Sequence, residues 1–149
     1  MPSFTSASEA DIPALSALLS VLFTQEAEFK PDEQAQQRGL AMIIRHPDVG
    51  AILVARDGTR ILPMVNLLFT VSTALGERVA LLEDMVVAPE ARGSGIGSAL
   101  LSYAIAYAKT GGIKRITLLT DQDNHTAQHF YAKQGFTTST MIPLRLALT

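Results

Sequence analysis

The stretch from Arg78 to Thr120 limits the possible folds more than any other part of this sequence. Arg78–Val87 is rich in aliphatic residues and reads as a strand. Residues 95–109 place Ile96, Leu100, Tyr103 and Tyr107 at helical spacing, and Arg115–Thr120 reads as a strand again. A strand, a helix and a strand in that order require parallel neighbours joined by a right-handed crossover. The segments before it obey a different rule. Ala51–Arg56 and Ile61–Val71 are separated only by the hairpin turn Asp57-Gly58, and a turn at Gly76 leads into Arg78–Val87. Such short connections permit only antiparallel pairing. Pro63 has no N–H to give to a ladder and must lie at an edge or a bulge. One sheet satisfying both rules is mixed: mostly antiparallel, with one parallel βαβ unit and helices on both faces, an α/β fold of the α+β kind.

The remaining elements fit around that sheet. Residues 2–7 read as an opening strand. Ser8 and Asp11 form a capping-box pattern ahead of Ile12, Leu15, Leu18, Leu19, Leu22 and Phe23, which recur at helical spacing. Thr24–Pro31 is polar and reads as a loop. A second helix turns Leu40, Ile43 and Ile44 inward and stops before Pro47. Asn124–Gln134 is a helix closed by Gly135, and 136–148 is expected to supply a last strand or hairpin. The element order is βααβββαβαβ, giving six strands, or seven with the hairpin.

The 149 residues suffice for one domain, 1–149, and show no repeat or linker. Lys and Arg number 12 against 14 Asp and Glu, so there is no cationic surplus for a nucleic-acid partner. Cysteine is absent, which removes thiol nucleophiles, disulfides and cysteine-based zinc sites. No apolar run approaches the ~18 residues of a membrane span, and the opening residues lack a secretion signal. A cytoplasmic protein without a membrane partner is expected. Charged residues make up only 17% of the chain, against roughly 25% in soluble domains, so part of the surface is expected to be covered by a second copy in a homodimer.

The chemistry is concentrated in Val86–Ser98, where three glycines, Gly93, Gly95 and Gly97, stand between a strand and a helix. The first amides of that helix have no partners within it and can converge on an anion, beside the fixed charge of Arg92. A tight turn with close helix–sheet packing would use the same glycines. A Walker loop would need Gly-Lys-Ser/Thr, which is missing. A dinucleotide fingerprint would need a third glycine where Ser98 stands, and a first glycine directly after the strand, where Ala88–Arg92 intervene.

Arg92-Gly93-Ser94-Gly95-Ile96-Gly97 resembles the R/Q-x-x-G-x-G/A signature of the GNAT family of N-acetyltransferases. Asn124, Ala127, Phe130, Tyr131, Gly135 and Phe136 are similar to a second pattern of that family, and the strand order resembles its fold over almost the whole chain. The resemblance implies acetyl-CoA as co-substrate. It would lie with its pyrophosphate on the amides of Gly93, Ser94, Gly95, Ile96, Gly97 and Ser98 and its pantetheine arm along Met85, Val86 and Val87, with Arg92, Asn124 and Ala127 completing the site. It implies Tyr131 as the acid beside the sulfur. Phe130 is expected in the core.

An alkylammonium has a pKa near ~10.4, so supplying the neutral amine at neutral pH costs roughly 4.6 kcal/mol, and a nearby carboxylate can take the proton. Glu83 and Asp84 are adjacent carboxylates in an apolar strand. Alternation puts them on opposite faces, and at least one must reach a wet cleft or a partner such as Arg78. Phe69–Thr73, Leu82-Glu83-Asp84 and the glycine turn are similar to the diamine (spermidine/spermine) branch of the family, which implies Glu83 as base, Asp84 assisting, and Glu26 as a further contact to the amine. His125 and His129 are four apart on a helix but lack the glutamate of H-E-x-x-H and a third ligand, so no metal is expected. The expected function is direct acetyl transfer to the primary amine of a small acceptor. A non-catalytic acyl-CoA sensor on the same scaffold and a dinucleotide-dependent oxidoreductase are the alternatives.

Overall fold

The structure, a computed structural model, describes residues 2–26 and 28–149. Strand β1 (Ser3–Ser6) enters a 3-10 turn over Glu9–Asp11, where the Ser8 N–H donates to Asp11 Oδ2 at 2.8 Å. That carboxylate also receives both terminal nitrogens of Arg56, at 2.9 and 2.5 Å. The pairing holds the Asp11 carboxyl below its ordinary pKa and ties the start of helix α1 (Ile12–Gln25) to strand β2 (Gly50–Asp57). Helix α2 (Glu33–Ile44) is capped by Asp32, which accepts from the Ala35 N–H at 3.2 Å. Buried Gln36 of α2 donates to the Ser16 carbonyl and hydroxyl, both at 3.0 Å, and to the Ser20 hydroxyl at 3.1 Å. The two helices are thus locked by hydrogen bonds as well as by apolar contact.

Strands β2, β3 (Arg60–Ser72) and β4 (Glu77–Val87) form the antiparallel centre, and β5 (Ile116–Leu118) pairs parallel with β4, giving the order β1-β2-β3-β4-β5. Helix α3 (Ile96–Thr110) makes the crossover between β4 and β5, and α4 (His125–Ala132) follows. Pro63 sits at an irregularity between β2 and β3, where the register steps from Val54↔Met64 to Arg56↔Ile61. A bulge there removes the need for its missing N–H.

Both sheet faces are covered. Leu15, Leu18 and Leu19 of α1 and Leu40 of α2 pack on Ile52, Val54, Met64 and Val86. Leu100, Leu101, Ala104 and Ala108 of α3 pack on Leu53, Val65, Leu67 and Leu82. Neighbouring residues of one strand serve opposite cores, as the period of two requires.

The expectations need correction in four places. The sheet has five strands among the described residues, because 136–148 forms neither strand nor hairpin and 137–149 is exposed throughout. The parallel strand is shorter than Arg115–Thr120, and α1 runs two residues into the expected loop. The inward face of α3 is built from Leu100, Leu101, Ala104 and Ala108, while Tyr107 is 39% exposed. Small residues let the helix sit close to the sheet where tyrosines would hold it off. Among the described residues, no helix is long and apolar enough to cross a membrane.

Candidate active site

The site follows from how β4 ends. Its last pair with β5 is Leu82↔Leu118, while its pairing with β3 continues to Val87. Beyond Leu82 the side of β4 facing away from β3 is therefore free, and backbone groups of Glu83–Val87 are available there to an extended ligand carrying amides. A cleft of about 640 Å³ opens at this divergence. Met85, Val86 and Val87 form one wall, α4 contributes Ala127, Phe130 and Tyr131, and the end of α1 contributes Leu22, Gln25 and Glu26.

The glycine turn closes one end. Gly93 and Gly95 adopt φ of 81° and 85°, a left-handed backbone that other residues rarely take. Gly97 is needed for closeness instead: a Cβ there would lie 2.8 Å from Val87 Cγ2. The first intrahelical bond of α3 runs from the Ala99 N–H to the Gly95 carbonyl at 3.1 Å, so the amides of Gly97 and Ser98 precede the ladder. Both residues line the cleft with Gly93, Gly95 and Arg92. These residues fit a diphosphate. Ser94 and Ile96 do not line it: the Ser94 hydroxyl donates to the Ala91 carbonyl at 2.5 Å, and Ile96 is buried in the core beneath α1.

At the opposite end the register of β3 and β4 slips between Asn66↔Asp84 and Leu67↔Leu82, which leaves Glu83 as the extra residue of a bulge. The slip breaks simple alternation, and Glu83 and Asp84 border the same cleft rather than opposite faces. Arg78 serves neither; it donates to the Asp48 carbonyl at 2.9 Å and lies over the Phe69 ring. Asp84 accepts from Asn66 Nδ2 at 3.0 Å. Burial pushes the Asp84 carboxyl up to about 6 and the charge of Glu83 adds to this, against the opposing hydrogen bond from Asn66.

Glu26, at the end of α1, is also raised, by burial first and then by the charges of Asp84, Asp121 and Glu83, with Arg145 opposing. Tyr131 packs edge-on against Phe130 and Phe136, with ring centroids 5.2 and 5.6 Å away. Burial and then the charges of Glu26 and Asp84 push its hydroxyl up to about 12. Asn124 caps α4, accepting from the Ala127 N–H at 3.1 Å, and both border the cleft. Phe130 is part of the wall as well as the core, with its ring edge 3.7 Å from where a Cβ of Gly97 would stand.

Asn66 was missed in the sequence. Its only signal there is a lone amide in the apolar run Met64–Phe69. It is 3% exposed, and among the described residues its Oδ1 has no hydrogen-bond partner. His125 and His129 are exposed on α4, and among the described residues no three potential metal ligands come together.

The sheet splays between β4 and β5, with a glycine turn at one end of the gap and carboxylates at the other. The family model of the acetyltransferase (GNAT) family matches residues 12–136. The chain is 34% identical over 124 residues to the uncharacterized N-acetyltransferase YhfO of Bacillus subtilis (strain 168), covering 80% of this chain and 82% of that one. It is 28% identical over 126 residues to the aminoalkylphosphonate N-acetyltransferase of Salmonella typhimurium, covering 85% and 79%. Among solved structures, an integron cassette protein from the mobile metagenome of Cole Harbour Salt Marsh superposes with a TM-score of 0.84 at 27% identity, covering 98% and 90%. The chain belongs to the GNAT acetyltransferase family and is an N-acetyltransferase. The mostly antiparallel sheet is not the doubly wound parallel sheet of dinucleotide folds.

Proposed function

We propose that this enzyme, as one domain over residues 1–149, transfers the acetyl group of acetyl-CoA by direct attack to the primary amine of a small dicationic or polycationic acceptor. One observation carries the acceptor class: Glu26, Glu83, Asp84 and Asp121 border a single cleft, and Glu26 responds to the charge of the other three. Carboxylates held together without a cation repel one another, and a polyamine relieves that repulsion on binding. An acceptor bearing a phosphonate, like that in the name of the Salmonella relative, would meet the same wall as a like charge.

The donor would occupy the splay, with its phosphates at Gly93, Gly95, Gly97, Ser98 and Arg92 and its amide-bearing arm on the free side of Met85–Val87. An N–H of that edge would polarise the thioester carbonyl as charge develops on its oxygen. The sequence reading places the base at Glu83 with Asp84 assisting. The burial of Asp84 favours the reverse division, with Asp84 taking the proton and Glu83, which is exposed, holding the ammonium. A base near 6 rather than 3.8 narrows the gap to an ammonium by about 3 kcal/mol, at 1.36 kcal/mol per pKa unit. Tyr131 stabilises the departing thiolate chiefly as a hydrogen-bond donor. Full transfer from a hydroxyl near 12 to a thiolate near ~8.5 would run uphill by roughly 5 kcal/mol. A cation between Glu26 and Asp84 reduces that barrier by neutralising two of the charges that raise the tyrosine.

Release of free CoA thiol, measured with spermidine, putrescine, lysine and 2-aminoethylphosphonate, tests the reading. The di- and polyamines are expected to give the highest kcat/KM. Faster turnover of the aminophosphonate would overturn the acceptor class while leaving the transfer intact. Absence of acetyl-CoA binding in a thermal-shift titration, where a ligand at 100 Kd adds ~2.7 kcal/mol, would overturn the donor.

A further inference from the structure

Asn66 puts an amide where the core calls for an aliphatic side chain. In the register of the sheet, Ile52 of β2, Asn66 of β3 and Asp84 of β4 stand side by side. Residues directly opposite across strands share a face. Ile52 belongs to the core packed by Leu15, Leu18 and Leu19 of α1 and Leu40 of α2, so Asn66 points into that layer. A valine or leucine there would extend the layer at no polar cost. The amide is instead satisfied at one end only: Nδ2 donates to Asp84 Oδ2 at 3.0 Å, while among the described residues Oδ1 has no partner. An unpaired buried oxygen opposes folding. The polar group that Asn66 serves is Asp84.

This bond makes the two oxygens of Asp84 unequal. Asn66 does not line the cleft and Asp84 does. Among the described residues Asn66 supplies the hydrogen bond to this carboxylate, and it goes to Oδ2, which leaves Oδ1 to the cleft. The last torsion of an aspartate is broad and two-fold, so an unheld carboxylate presents either oxygen at many angles. Asn66 can hold it because β3 is paired on both sides, to β2 and to β4, and because the register slips only after the Asn66↔Asp84 pair.

We propose that Asn66 is a positioning residue for the acetyl transfer: it holds Oδ2 of Asp84 and thereby aims Oδ1 at the ammonium of the acceptor. The inference rests on the reading of Asp84 as the base. In the step concerned, an N–H bond of the ammonium breaks, its electron pair stays on nitrogen, and the proton forms an O–H bond at Asp84 Oδ1. The neutral nitrogen then attacks the thioester, and Asp84 returns the proton to solvent before the next turnover. Oδ2 remains an acceptor throughout, so the bond from Nδ2 need not break. Before the transfer that bond favours the ionised carboxylate, against the charge of Glu83 on the same strand. Glu26 at the end of α1, Tyr131 on α4 and Asp121 after β5 complete the titratable groups of this end of the cleft, with Arg145 acting on Glu26.

The test is the pH dependence of kcat/KM for wild type, N66L, N66A, D84N and D84N/N66L, with the amine that gives the highest turnover. N66L removes the donor and keeps a branched side chain. N66A adds no volume and carries the same readouts if leucine disturbs the packing. Both are expected to lower kcat about 10–10²-fold, the scale of a misplaced reacting group, with an unchanged KM for acetyl-CoA. Both are also expected to move the acid limb upward by on the order of one pH unit, because the bond that favoured the ionised form is gone. In the D84N background N66L is expected to cost less than about twofold further, since Asn66 acts through Asp84. An acid limb that stays at its wild-type pH in N66L and N66A, while D84N is impaired, would overturn the positioning role and leave the base in place. The same loss from N66L with and without D84N would do so too. A D84N variant that keeps its activity and its acid limb would overturn the base, and this inference with it.

Discussion

Asp84, the proposed base, sets stability against chemistry in one carboxyl group. Its folded pKa of about 6 lies above the ordinary 3.8, so the folded protein binds the proton more tightly than the unfolded chain. The contribution of this group to stability is therefore most favourable below about 4 and declines as pH rises through the interval from 3.8 to about 6, opposite in sign to that of Asp11, whose lowered pKa favours the folded state above the carboxylate range. At neutral pH the ionised group costs up to about 3 kcal/mol. Asp84→Asn is accordingly expected to raise the urea midpoint at neutral pH by as much as that figure allows, and to lower kcat at least ~10²-fold if Asp84 is the base. A variant that keeps both the activity and its acid limb would reassign the proton to Glu83. Tyr131→Phe is expected to lower kcat with little change in affinity for acetyl-CoA, because the ring contacts to Phe130 and Phe136 remain. A matching rise in KM for the donor would show that the hydroxyl binds rather than stabilises the thiolate.

Between elements, the close approach of α3 to β4 is at Gly97. An added methyl would meet Val87 Cγ2 at 2.8 Å, and valine in a strand has little rotamer freedom with which to yield. Gly97→Ala is expected to cost about 1–3 kcal/mol in chemical denaturation and to weaken acetyl-CoA binding through displacement of α3 from β4. Unchanged affinity would show that the turn adapts. Local chemistry made much of the fold legible in the sequence: the Asp57-Gly58 hairpin, the capping pair Ser8 and Asp11, and the glycines of the turn each depend on neighbours in the chain. The bulge at Glu83 was not legible, because it exists only in the register of β4 against β3, and an assumption of unbroken alternation separates two carboxylates that share a cleft. Asn66 was hidden for the same reason, since its role appears only once Asp84 stands opposite. The residues from Ile142 onward alternate like a strand, yet strandhood requires a partner edge that no single segment contains.

At the scale of the whole molecule, charge is unevenly placed. The net charge is only −2, but four carboxylates share one cleft. Attraction of a polycation to that cleft is screened by salt over roughly 8–10 Å at physiological ionic strength. The kcat/KM for spermidine is expected to fall several-fold between low salt and about 0.3 M, while that for a monoamine changes little. Equal salt sensitivity for both acceptors would place the carboxylates outside the recognition step. Gln36 contributes at this scale as well, because its bonds to Ser16 and Ser20 steady the helix whose end carries Glu26.

The early parting of β4 from β5 also sets a pattern of amide hydrogen exchange. Within Glu83–Val87, the N–H groups on the side away from β3 have no ladder partner among the described residues and should exchange with deuterated solvent as freely as a loop, although they belong to an interior strand. Acetyl-CoA laid along them should slow that exchange at every other residue, leaving the β3-facing amides as protected as before.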